Sequence, residues 1–167
     1  MIFDLPIQII PNWHAVIVHF PVALLITAAG LCVAARLLRG RPIADDLYKI
    51  AKWNLWLGTL AAICAVATGL YAFGTVKHDE GGHMAMLVHM HWALTTLMAS
   101  VLASLVARFG KRSRSGSTGP IVALMLVTGM AVAVTGYLGG ENVYRHGIGV
   151  IHLPNPDGHH HHDESLF

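Results

Sequence analysis

The chain has 167 residues, 54% of them hydrophobic and only 12% charged, with a mean hydropathy of +0.57 and a formal net charge of +2. That charged fraction is about half of what a soluble domain carries. The composition therefore excludes a soluble globular enzyme and leaves an integral membrane protein with no length for a second folded domain.

The opening segment, MIFDLPIQIIPNW, lacks a basic n-region and contains Asp4, so it does not read as a cleaved signal. Apolar runs follow near 15–38, 54–74, 86–107 and 120–140. At roughly 20 residues per span, each is long enough to cross about 30 Å of hydrocarbon. The expected fold is all-α: an integral membrane four-helix bundle, up-down-up-down, occupying residues 1–150. Residues 151–167 form a polar His-rich tail.

The first run begins with HAVIVHFP, residues 14–21, which puts two histidines and a proline at the start of an apolar helix. If the helix begins near Phe20, Pro21 lies in its tolerated first turn. If it begins near His14, Pro21 frees the carbonyl of Ile17 and kinks the chain beside His19. Within about 80° of His19 on a 3.6-residue helix lie Ala23, Thr27, Gly30 and Ala34. Small residues mark helix–helix interfaces in membranes, so His19 is expected on a packing face.

Basic residues orient the chain. Arg36, Arg39, Arg41, Lys49 and Lys52 flank the first connection, and Arg108, Lys111, Arg112 and Arg114 flank the third. Only Lys77 and Arg145 remain for the other side, so the positive-inside rule puts both termini outside the cytoplasm. Trp13 and Trp92 at one interface, and Trp53 and Trp56 at the other, fit aromatic belts. The second run carries Gly58 with Ala62 and Ala65 with Gly69, and the fourth carries Gly129 with Ala133; these small-xxx-small patterns either allow close packing or leave room for a flat cofactor between two imidazoles. Cys32 and Cys64 read as small core residues.

The third run opens on HMAMLVHMHW, residues 83–92, with three histidines and three methionines. His89 shares a face with Ala93, Thr96, Ser100, Ala103, Ser104 and Ala107, again a packing face, whereas His91 sides with Met98, Leu102 and Leu105 and looks lipid-facing. His19 and His89 lie 17 and 19 residues from Arg36 and Arg108, or about 25 and 28 Å at 1.5 Å per residue. Helices one and three are commonly diagonal in such a bundle, so the two rings are expected to face each other across its axis.

After the fourth run, Gly139 and Gly140 are expected to end the helix, and NVYRHGIGVIHL to lie back over the outer end, returning His146 toward His14. All twelve histidines, the others being His78, His83, His152 and His159 to His162, then fall outside or in the outer third of the membrane. No topology rule demands this, and it points to chemistry at that face. His159 to His162 read as a weak, flexible metal-binding tract.

HAVIVHFPVAL and GYLGGENVYRHGIGV together resemble a bacterial family of small uncharacterised four-helix membrane proteins, with a His-x4-His-Phe-Pro beginning and a Gly-Gly-x2-Val-Tyr-x-His-Gly ending. The resemblance covers His14 to Val150. A proline often follows the first histidine in that family; Ala15 departs from this. The resemblance implies functional roles for His14, His19, His89 and His146. Because some relatives are joined to Rieske-type iron–sulfur domains, it also implies electron transfer at the bacterial inner membrane.

The resulting expectation is a b-type cytochrome: haem b between His19 and His89, with His14 and His146 in the layer above. Arg145 and Lys77 would suit the carboxylates of an anionic cofactor. The alternative is copper held by His83, Met84, Met86, His89, Met90 and His91, since thioether and imidazole together suit that metal. A cofactor-free accessory subunit of a respiratory complex is the third reading. No HExxH or nucleophile–base–acid grouping assigns a catalytic residue, so an electron carrier is favoured over a stand-alone catalyst. The expected partners are the lipid bilayer and a redox protein or quinone, with an oligomer open and nucleic acid excluded.

Overall fold

The computed structural model describes residues 12–110 and 119–150. Five helices appear in order: α1, His14–Ile17; α2, His19–Leu37; α3, Pro42–Thr75; α4, Glu80–Phe109; and α5, Gly119–Tyr144. With α1 and α2 taken as one interrupted rod, four helices are long and apolar enough to cross a membrane. The tract His159 to His162 and His152 lie outside the described residues.

The first rod starts at His14, whose backbone N–H is capped by Asn12 Oδ1 at 3.0 Å. It breaks into a turn at Val18 and resumes at His19. Pro21, three residues after the break, has no N–H to give Ile17, and the next bond resumes from Val22 to Val18 at 3.3 Å. Of the two sequence alternatives for HAVIVHFP, the structure takes the earlier start with an irregularity at the proline.

Polar first turns carry α3 and α4 beyond their apolar runs. Gly40, at φ +92°, turns the chain out of α2, extended Arg41 precedes α3, and Pro42 takes its first position. Asp79 caps α4 by accepting from Gly82 N–H at 2.7 Å. The fourth helix also differs from expectation. Gly139 and Gly140 do not end α5, which continues to Tyr144, supported by an Arg145–Glu141 pair at 2.8 Å. The reversal falls instead at Gly147, φ +62°, where Ile148 N–H bonds back to Asn142 O at 3.0 Å.

Contact registers fix the directions of the helices. Leu25 meets Gly58 while His14 meets Gly69, so α3 runs against the first rod. Ala29 meets Gly129 and Val22 meets Gly136, so α5 does likewise. The α2 helix packs on α3 and α5, and α4 packs on the same two from the other side.

At Gly58 an added Cβ would lie 2.8 Å from Leu25 Cδ2, and at Gly129 2.9 Å from the Ala29 Cβ. These small residues let backbones approach closely, as their spacing suggested. Leu25, Ala28, Cys32, Leu55, Ala103, Ile121 and Met125 fill the centre. Hydroxyl pairs tie helices together beside it: Thr59 with Ser104 at 3.0 Å and Thr96 with Thr135 at 2.9 Å. Leu60, Met98, Leu102 and Met130 are exposed, as lipid-facing side chains would be.

Candidate functional site

His14 and His89 meet at one end of the bundle, with ring centroids 6.3 Å apart and planes at 82°. His14 Nδ1 lies 3.0 Å from Ala65 O on α3, with Thr68 Oγ1 at 3.4 Å. His89 Nδ1 lies 3.1 Å from Thr135 O on α5. A carbonyl can only accept, so each Nδ1 carries its hydrogen and each Nε2 keeps a lone pair. Imidazoles that bind metals are commonly oriented through just such a bond from the other ring nitrogen. Among the described residues, neither Nε2 is engaged by a hydrogen bond.

Glycines make room for both rings. A Cβ at Gly69 would sit 2.9 Å from His14 Cε1, and one at Gly139 would sit 3.3 Å from His89 Cε1. Gly139 is thus part of the socket around His89 rather than a helix end.

The structure does not bring His19 to His89. His19 is exposed, with Nδ1 3.3 Å from Val16 O in the preceding turn, α1. Ala23, Thr27 and Gly30 are exposed with it, while Pro21, Leu25, Ala28, Cys32 and Ala35 carry the buried face. His14 and His19 are five residues apart, about 140° around a helix, so only one of them faces inward. On α4 the periodicity does locate the packing face: Thr96, Ser100 and Ala103 are buried below His89, and His91 is exposed with Nδ1 2.7 Å from Leu87 O.

The remaining candidates disperse. His146 is exposed near the start of α4, its Nδ1 3.9 Å from where a Gly81 Cβ would stand, and not beside His14. Arg145 pairs with Glu141, and Lys77 lines an open pocket with Tyr71, Thr75 and Gly147. Of the histidine–methionine set, His83, Met84 and His91 are exposed and Met90 is half-buried; Met86 is buried. His83 turns to His78 instead: the rings stack 5.2 Å apart, and His83 Nδ1 lies 3.0 Å from His78 Nε2.

Asn142, one turn beyond Gly139 on α5, is a buried polar residue that sequence reading missed. It is 8% exposed, and among the described residues its buried Oδ1 has no hydrogen-bond partner. An asparagine near the end of an apolar helix was the available signal, obscured by the expectation that the helix stops at Gly139. Among the described residues, no group of three or more His, Cys, Asp or Glu side chains converges as a metal site.

No curated protein and no solved structure matches the chain. A family model described as "Predicted membrane protein (DUF2231)" matches residues 11–152, a stretch that contains every described residue of the five helices and of the paired-histidine site. The chain therefore belongs to this family of membrane proteins.

Proposed function

We propose that the protein is a membrane-bound electron-transfer protein whose redox centre is held by His14 and His89, at the end of the bundle that faces away from the cytoplasm. The observation that carries this reading is the pair of imidazoles with their Nδ1 atoms tied to backbone. Two metal–nitrogen bonds of roughly 2.0–2.1 Å, plus the inner half of each ring, span about 6 Å between centroids. The 6.3 Å separation is compatible with one ion between the rings.

Haem b is the first reading, supported by the histidine pairing and by the resemblance of the sequence. When bound, it would supply one-electron chemistry with no open coordination position. His14 and His89 would hold the iron; α3 and α5 would orient the rings through Ala65 O and Thr135 O. Copper is the second reading, favoured by the buried thioether of Met86, three residues from His89 on the same face of α4. A quinone or a redox protein reaching the histidine end would exchange the electron.

Reduced-minus-oxidised spectra of the purified protein test this reading. A Soret and α-band change is expected for haem b, and a copper signal with no Soret band for the second reading. A protein that carries neither metal, even after reconstitution, would overturn electron transfer and leave an accessory subunit.

The orientation rests on the nine-to-two division of basic residues. A reporter placed within residues 111–118 should be active only as a cytoplasmic fusion, and one placed between Val76 and Asp79 only as an exported fusion. The reverse result would move the site to the cytoplasmic side.

A further inference from the structure

We propose that His14, Met86, His89 and Asn142 form a four-donor site selective for a single Cu(I) ion. This rests on the reading of His14 and His89 as a metal-binding pair and develops its copper alternative.

The placement of the two additional residues follows from helix register. The α4 and α5 helices run antiparallel, with Thr96 against Thr135 and His89 against Thr135 and Gly139. One turn farther toward the histidine end, that register sets Met86 opposite Asn142. Both are buried, at 8% exposure, on the faces that carry His89 and Gly139. His14, on α1, meets the His89 ring at a centroid distance of 6.3 Å. The proposed donors, two imidazole nitrogens, a thioether and an amide oxygen, thus come from neighbouring turns of three helices.

The chemistry of this set is one-sided. Both Nδ1–H groups are spent on backbone carbonyls, so His14 and His89 offer only Nε2 lone pairs. Met86 offers only sulfur. Asn142 Oδ1 is a buried acceptor with nothing to accept from. A buried polar group left without a partner is costly, and a cation held between it and the lone pairs of the neighbouring turns would satisfy all of them at once.

Charge and softness then select the cation. None of the four donors is ionised, so in a low-dielectric membrane a divalent ion would keep two uncompensated charges and a monovalent ion only one. A thioether is a soft ligand that favours Cu(I), and imidazole accepts copper readily. The site should therefore prefer Cu(I) to Zn(II). Gly69 and Gly139, which let the backbones of α3 and α5 close on the rings, suit a single ion held in tight packing.

Anaerobic Cu(I) titration of the full-length protein in detergent, in competition with a chromogenic Cu(I) chelator, tests the proposal together with copper-edge X-ray absorption. The wild type should bind Cu(I) in the presence of excess Zn(II) and show one sulfur scatterer beside nitrogen. That sulfur cannot come from residues 151–167, whose histidines also take metal but which contain no methionine or cysteine. Met86→Leu, which preserves volume, should lose the sulfur scatterer. Asn142→Leu should keep it and weaken binding about tenfold or more, the scale on which groups supporting a metal act.

If Met86→Leu retains the sulfur signal, or if both variants bind Cu(I) as the wild type does, the four-donor assignment is overturned while the histidine pair stands. Stoichiometric haem with no copper overturns the Cu(I) site and leaves electron transfer in place. Neither metal in the wild type overturns both.

Discussion

His14→Ala and His89→Ala should each reduce metal binding at the paired rings by more than about a hundredfold, whereas His19→Ala should leave it unchanged. Changes that merely disturb a ligand's supporting bond already cost 10–100-fold, and removal of an imidazole costs more. The contrast follows from position. His14 and His89 lie 6.3 Å apart, while His19 is exposed and bonded to Val16 O in the preceding turn, α1. Metal content and visible spectra should be compared at equal amounts of monodisperse protein after gel filtration. A loss in His19→Ala equal to that in His14→Ala would show that the rod rotates in the bilayer and brings the second histidine inward.

The second large effect is expected from a methyl group placed nowhere near a ligand in sequence. Gly69→Ala sets a Cβ 2.9 Å from His14 Cε1, closer than packing permits, on the same helix that supplies the Ala65 O bond to Nδ1. The ring must swing away and lose that bond, so binding should fall about tenfold or more. Gly139→Ala should be milder: its 3.3 Å approach to His89 Cε1 needs a shift of only a few tenths of an ångström. Gly74→Ala meets nothing within 4 Å and serves as the control. Alanine for glycine in a helix gains about 0.5–1 kcal/mol of intrinsic stability, so weaker binding in Gly69→Ala would not come from a weakened helix. Unchanged binding in Gly69→Ala would show that His14 is not held by this contact.

Much of the bundle is legible in the sequence because its signals are local. Four apolar runs imply four rods, and glycines spaced four residues from another small residue imply close backbone approach. The buried face of α4 follows from a run of small and hydroxyl residues below His89. The equivalent argument fails on α2. There the small stripe of Ala23, Thr27 and Gly30 is exposed, and the contact is made by Leu25 fitting the notch at Gly58. A knob on one helix needs small residues only on the partner, so a small stripe alone does not decide which face turns inward. The site suffered from the same ambiguity, since His14 and His19 are equally visible and only tertiary packing chooses between them. Asn142 was hidden for a different reason. A double glycine reads as a terminator, but Gly139 makes room for His89 and the helix runs on to Tyr144.

The centre of the bundle bears on what can cross it. Leu25, Cys32, Leu55, Ser100, Ile121, Met125 and Thr128 are each at most 2% exposed, and together they occupy the axis between the histidine end and the arginine end. A site seated above such a plug opens to one compartment only. In this conformation the packed axis would separate the histidine end of the bundle from the arginine end.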